Sequence, residues 1–331
     1  MRRRKFLGRF MGGLVGFHAG LSSGKYRLNF DSVSSQNNTG SDILVKVLGT
    51  AQDGGIPQIG CYCPNCRQAR KDPRSSRLIS SLAILDLRNN KAYIIDTTPD
   101  LRIQYDMVHQ RLGREKSGRK NVPDGVLLTH AHIGHYTGLM FYGYESLSTQ
   151  NLPVYCSRQM GDFLSSNGPW DQLVHLKNIS LQYFSLDKKE NITGNISVIP
   201  FHVPHRNEYS DTLGFKIIGP NKSLLYIPDI QSWSGWDRSI KEEVEKTDIA
   251  ILDGTFFSSA ELPGRDLTKI GHPFITTSLK ILKNSVKSGR KKVFFTHLNH
   301  TNLALNPEGK ERRAVVEAGC GIASEGMEFF L

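Results

Sequence analysis

Thr129-His130-Ala131-His132-Ile133-Gly134-His135 places three imidazoles within a few residues of one another, directly after an apolar run. Two histidines at i and i+2 on an extended turn face the same way, so both can reach one ion, and a third, three residues on, can turn toward a neighbouring one. Zinc needs further ligands from elsewhere in the chain. His205 in Val203-Pro204-His205-Arg206, Asp229 in Tyr226-Ile227-Pro228-Asp229 and His297 in Phe295-Thr296-His297 supply them in type and number. A carboxylate such as Asp229 can bridge two ions and let them share a hydroxide, which forms without a separate base because binding lowers the pKa of water to about 7.

Cys61-Tyr62-Cys63-Pro64-Asn65-Cys66 reads as a separate centre. Three thiolates at this spacing can wrap one tetrahedral structural zinc, with the Cys-Pro-x-Cys turn aiming backbone amides at sulfur. The bland reading is a reduced thiol cluster, which would be an oxidation liability in an exported protein. Cys156 and Cys320 stand alone in apolar surroundings and are expected to pack as small hydrophobes. Asp96, after Tyr93-Ile94-Ile95, would either orient a metal-binding histidine or cap a helix before Pro99. For Asp253 a turn with Gly254 is the simpler expectation over an approach to the site. His18, His109 and His175 show no comparable convergence.

The elements that must position these residues are short β-branched or aliphatic runs alternating with amphipathic stretches, a layered α/β pattern. Strands are expected at 43–48, 82–87, 92–95, 125–128, 153–155, 196–201, 213–218, 223–227, 249–252 and 292–295, and helices at 99–112, 240–246 and 273–288. Four of these strands end in a potential ligand: His130 with its neighbours, His205, Asp229 and His297. Such side chains collect on loops at one edge of a rigid sheet. Residues 1–41 read as a signal-like segment and polar linker, and 42–331 as one domain.

Leu48-Gly49-Thr50, Asp96, the His130–His135 block, His205, Asp229 and His297 occur in the order of the metallo-β-lactamase superfamily, which the chain resembles over residues 43–331. Within it the chain looks like the coenzyme PQQ biosynthesis protein B (PqqB) group and its relatives among phosphodiesterases and tRNA 3′-processing nucleases. The echoes are Gly54-Gly55-Ile56-Pro57-Gln58, Thr98-Pro99-Asp100-Leu101-Arg102, Gly271-His272-Pro273, Asn299-His300-Thr301-Asn302 and Glu325-Gly326-Met327. The resemblance implies a four-layer αββα sandwich with metals at the upper edge between its sheets. It also implies that His130, His132 and His205 serve a first metal, and His135, Asp229 and His297 a second or shared one. For His272 it implies the fourth ligand of the cysteine zinc or, on a competing reading, a general acid beside the leaving group.

One position departs from the pattern. The superfamily block reads His-x-His-x-Asp-His, and this chain has Gly134 where the aspartate would stand. The second metal is therefore expected to lose an anionic ligand and to bind more weakly, which would leave the site effectively mononuclear. Members of the PqqB group commonly lose histidines from this block, whereas the full first-site set here argues for a hydrolase-competent relative.

The net charge of +11 first suggests nucleic acid or an anionic surface. Much of it, however, sits in Arg2, Arg3, Arg4, Lys5, Arg9, Lys25 and Arg27, and a second cluster, Arg111, Arg114, Lys116, Arg119 and Lys120, reads as a solvated loop, so nucleic-acid binding is disfavoured. Arg3-Arg4-Lys5 before the weakly apolar run 10–21 resembles a twin-arginine export signal. It implies a periplasmic protein whose membrane contact is confined to that segment; a basic tail on a cytoplasmic protein is the alternative. The expected cofactors are one structural zinc and one or two catalytic zinc ions, with manganese or iron as catalytic alternatives. The expected partner is a small anionic substrate, with the oligomeric state, monomer or homodimer, left open. Three functions fit: a metal-dependent hydrolase in or beside PQQ biosynthesis, a phosphodiesterase acting on small phosphate esters, and a non-catalytic carrier of PQQ or a related anionic metabolite.

Overall fold

Along the first strand, β1 (Ile43–Gly49), successive side chains part company: Ile43, Val45 and Val47 turn to one face, Leu44 and Leu48 to the other. That period of two is what an extended backbone imposes. β2 (Ser81–Asp86) repeats it, with Leu82 and Ile84 joining the first set and Ala83 and Leu85 the second. A strand apolar on both faces must be covered on both, so the sheet requires one layer in front and one behind.

The computed structural model describes residues 41–331 apart from 118–120, 287, 288 and 290. The signal-like segment, its arginines and His18 therefore lie outside the described residues, as do Arg119 and Lys120. After β1 and β2 come β3 (Lys91–Ile95), β4 (Gly125–Leu127), β5 (Leu152–Cys156) and β6 (Ile179–Tyr183). β7 (Glu190–Thr193), β8 (Ile196–His202), β9 (Leu213–Ile218), β10 (Ser223–Ile227), β11 (Ile249–Asp253), β12 (Lys292–Thr296) and β13 (Cys320–Ile322) follow, and β14 (Glu328–Phe330) ends the chain. One sheet runs β14-β1-β2-β3-β4-β5-β6 and the other β13-β12-β11-β10-β9-β8-β7.

The helices are α1 (Pro64–Lys71), α2 (Leu101–Leu112), α3 (Ile133–Tyr136), α4 (Arg158–Ser166), α5 (Trp170–His175), α6 (Ile240–Glu245), α7 (Ile275–Val286) and α8 (Lys310–Glu317). Leu101, Met107, Val108, Met160, Leu164 and Leu173 of α2, α4 and α5 pack on the outer face of the first sheet. Ile240, Val244, Ile275, Leu282 and Val315 of α6, α7 and α8 cover the second. Between the sheets, Ile43, Val45, Ile84 and Leu127 meet Val198, Phe215, Tyr226 and Ile251. Each such fully buried aliphatic or aromatic side chain contributes about 1.5–3 kcal/mol. The result is the four-layer αββα sandwich.

Strand direction decides where functional side chains emerge. β10, β11 and β12 are parallel, and β8 points the same way because two antiparallel pairings, with β9 between, relate it to β10. Their carboxyl ends share one edge. β3 and β4 are likewise parallel in the facing sheet. No helix among the described residues is long and apolar enough to cross a membrane.

Candidate metal centres

Leaving β4, the chain reaches His130 and then His132, which is in extended backbone, and turns into α3, which carries His135. His205 follows β8, Asp229 follows β10 and His297 follows β12. His130 Nε2 lies 2.8 Å from His132 Nδ1, which lies 3.2 Å from His205 Nε2. Asp229 Oδ2 stands 3.3 Å from His130 Nε2, and Asp229 Oδ1 3.2 Å from His205 Nε2. Beside this group, His135 Nε2 and His297 Nε2 are 3.3 Å apart, and Asp229 Oδ2 lies 3.8 and 3.6 Å from them. The structure thus brings together all six sequence-predicted ligands, with Asp229 between two clusters.

Donors bound to one ion at about 2.0–2.1 Å in a tetrahedron stand about 3.3–3.4 Å apart, within the 2.8–3.8 Å range seen here. The polar groups are also left in the state an ion would satisfy. Asp229 Oδ1 is buried and makes no hydrogen bond, although His205 Nε2 and His272 Nδ1 each lie 3.2 Å from it. Nitrogens and oxygens that face one another without sharing a proton suit a common cation.

The electrostatics agree. Burial, then the neighbouring His135, holds His130 well below the usual histidine range, and burial also lowers His297. Burial would raise the Asp229 carboxyl, but the surrounding imidazoles, His297 foremost, hold it well below the usual carboxylate range. For His135, burial opposes protonation, yet Asp96 and two further carboxylates outweigh it and push the pKa up to about 9. Neutral imidazoles and an ionised carboxylate are the forms that bind metal, so His130, His297 and Asp229 stand ready, whereas His135 would give up a proton to an incoming ion.

The two uncertain aspartates both stand behind histidines. Asp96 Oδ2 accepts from His135 Nδ1 at 2.7 Å, and its Oδ1 accepts from the Thr129 amide at 2.8 Å. Asp96 (φ 64°) and His297 (φ 59°) both occupy the left-handed region, uncommon for non-glycine residues and concentrated at functional sites. Asp253 does turn the chain, its Oδ1 accepting from the Thr255 amide, but its Oδ2 also accepts from His272 Nδ1 at 2.9 Å, so the turn-only expectation was incomplete.

His272 requires a correction. It stands at the imidazole cluster, next to Asp229 and Asp253, and not beside the cysteines. Burial would hold its pKa down, but Asp253 and Asp229 push it up to about 9. The residue that joins Cys61, Cys63 and Cys66 is His300, whose Nδ1 lies 3.4, 3.4 and 3.6 Å from their sulfurs. Sulfur at about 2.3 Å and nitrogen at about 2.0 Å from one tetrahedral ion would stand about 3.5 Å apart. The Gln58 amide points at Cys66 Sγ and the Cys63 amide at Cys61 Sγ. That amide lowers the Cys61 thiol, whereas burial pushes Cys66 up to about 11, so a full set of thiolates needs a cation to form. Cys156 and Cys320 are buried and unpaired, as small hydrophobes.

Three further residues matter at these sites. His300 belongs to Asn299-His300-Thr301-Asn302, and its position just past β12, in the same loop as His297, is the sequence signal that marks it. Thr129 Oγ1 lies 2.9 Å from both Asp96 Oδ2 and His130 Nδ1. Asp53 reaches the second cluster, its Oδ1 3.6 Å from His135 Nε2. His109 is buried beside Tyr105, away from both centres.

Comparison with known proteins adds a family. The beta-lactamase superfamily domain matches residues 91–298. A coenzyme PQQ synthesis protein B from Methylococcus capsulatus (strain Bath) is 25% identical over 317 residues, covering 87% of this chain and 100% of that protein. Among solved structures, Zn(2+)-bound PqqB from Methylobacterium extorquens superposes with a TM-score of 0.71 at 22% identity, covering 87% of this chain and 100% of that one. A diphosphatase from the PhnP family gives 0.62 at 22% identity, over 87% and 96%.

Proposed function

The chain belongs to the metallo-β-lactamase superfamily, and from that premise we propose that it is a metal-dependent hydrolase of a small anionic substrate, PqqB-like and in or beside PQQ biosynthesis. The observation that carries this reading is the convergence of His130, His132, His205, His135 and His297 on both sides of the carboxylate Asp229. Zinc is the ion these donors suit. When bound, it would polarise a phosphoryl or carbonyl oxygen and supply water acidified to a pKa of about 7 as the nucleophile.

The chain's own residues do the rest. Asp96 fixes the His135 ring, so its Nε2 faces the cluster. Asp253 accepts from His272 Nδ1 and favours the protonated form of that imidazole, which would give a proton to a leaving group. The cysteines and His300 would hold a structural zinc, which would tie the cysteine segment to the loop that carries His297. The PQQ association is supported by the 25% identity that extends across 100% of the Methylococcus capsulatus protein.

The test is turnover of activated phosphodiesters, diphosphate esters, carboxylic esters and lactams by protein loaded with zinc, manganese or iron. Hydrolysis of at least one class, abolished by Asp229→Asn, is expected. No turnover with any ion, together with specific binding of PQQ or a related quinone, would overturn the hydrolase in favour of a carrier.

A further inference from the structure

Gly134 looks at first like a lost ligand. The space beside it is nevertheless filled by a carboxylate from a distant stretch. A Cβ at Gly134 would lie 2.1 Å from Asp53 Oδ1 and 2.8 Å from Asp53 Cα, so no side chain at 134 is compatible with Asp53 where it stands. The Gly134 amide donates to Asp53 Oδ1 at 3.1 Å, and the same oxygen lies 3.6 Å from His135 Nε2. Asp53 Oδ1, His135 Nε2 and a His297 nitrogen fall within 4.8 Å of one another.

The backbone around Asp53 is built to hold it there. Gly55 closes the turn in the left-handed region (φ 66°), its amide donating to the Gln52 carbonyl at 2.8 Å. The Gln52 amide donates to the Leu298 carbonyl at 3.0 Å, and Ala51 bridges to Leu298, so the Asp53 turn is registered against the loop bearing His297. We infer that Asp53 is a ligand of the second metal ion, replacing from another loop the carboxylate that Gly134 removes, and that Gly134 is glycine because Asp53 needs the room.

This inference rests on the two-ion reading above and inverts the expectation of a weak second site. Electrostatics favours it: among the direct ligands, two divalent ions with Asp229 as their one carboxylate leave an excess of three positive charges, and Asp53 reduces it to two. With Asp53 the second ion has three close donors, His135, His297 and Asp53, and Asp229 Oδ2 lies 3.8 and 3.6 Å from the two histidines, within reach of a shared role.

The competing role for Asp53 is purely structural, as an acceptor for the Gly134 amide. Asp53→Asn separates the two because it keeps a carbonyl oxygen for that amide and loses the charge. Ions per chain are counted by mass spectrometry after dialysis against a weak chelator, and cobalt titration reports affinity. The wild type is expected to retain three ions and Asp53→Asn two, with the unfolding midpoint of the metal-free protein unchanged. The lost ion should bind at least ~100-fold more weakly, the upper range for disturbing a metal's supporting shell. The exchange variant Asp53→Gly with Gly134→Asp should recover the third ion relative to Asp53→Gly alone.

Three ions with unaltered affinity in Asp53→Asn would overturn the inference and leave the hydrolase reading intact, as would a wild type holding two. An exchange variant that folds normally but holds no more metal than Asp53→Gly would do the same. A wild type retaining only the cysteine-bound ion would overturn both.

Discussion

The two centres share a loop and differ in almost everything else. His297 and His300 are three residues apart, yet one side chain turns into a buried set of imidazoles and carboxylates and the other to three thiols. The cysteine centre draws three of its four donors from six consecutive residues and, among the described residues, shows no titratable base hydrogen-bonded behind its histidine. The histidine centre draws its donors from the ends of strands in both sheets, and Asp96 and Asp253 stand behind His135 and His272. A closed tetrahedral knot can take most of its donors from local chain and add one distant histidine; a site that must leave room for a substrate needs a rigid scaffold and a second layer of carboxylates to aim its ligands.

The sharpest way to break that contrast is at Asp229, the one carboxylate both catalytic clusters share. Asp229→Asn is expected to release the catalytic ions, keep the cysteine-bound zinc, and lower turnover by at least about 10³-fold, since the ions supply several kcal/mol of transition-state stabilisation. Metal counting beside a turnover assay checks this; loss of the cysteine zinc as well would mean the centres are not separable.

His272→Ala comes next, and it discriminates between the two centres directly. Turnover should fall by about 10²–10⁴-fold on substrates with poor leaving groups, and much less on nitrophenyl esters, which need no proton. The cysteine zinc should stay. A loss of that zinc would return His272 to the structural role that its contacts with Asp229 and Asp253 argue against.

The same contrast explains what could be read from the sequence. Local centres are legible: Cys61, Cys63 and Cys66 announce themselves, as do His130, His132 and His135, because their spacing alone makes joint ligation feasible. The central strands were legible for the same reason, since alternation and β-branched runs mark a strand buried on both faces. The edge strands β6, β7, β13 and β14 were missed, being short or polar, and α8 buries only Val315, leaving little periodicity to detect. Asp53 and His300 were hidden for a different reason: each acts on residues far along the chain, and only the packing of three loops at one edge puts them in place. His272 was misassigned to the cysteines because order along a chain does not say which of two neighbouring centres a loop faces.

Asp96→Asn tests the supporting layer with a smaller expected effect. The ring of His135 would keep its packing but lose the charged acceptor on Nδ1, and affinity on that side of the cluster should fall by about 10–100-fold, with the first ion less affected. Cobalt titration of the variant measures it. Equal weakening of both ions would mean that Asp96 supports the whole edge, acting also through its contact with Thr129, and not through His135 alone.

For turnover, the smallest effect belongs to the cysteine centre. Cys63→Ser is expected to release one zinc and lower the unfolding midpoint by about 5–10 °C, because a structural ion's binding energy is folding energy. Turnover at saturating zinc should change by less than about tenfold, since no thiol faces the imidazole cluster. The risk to this prediction lies in the shared loop. Asn65 Nδ2 donates to the carbonyls of His300 and Asn302, and the Gln52 amide donates to Leu298, so the cysteine segment, the Asp53 turn and the His297 loop are stitched together. If Cys63→Ser also frees the second catalytic ion, the knot is doing more than holding the fold: it sets the position of Asp53 and His297, and the two centres are mechanically one.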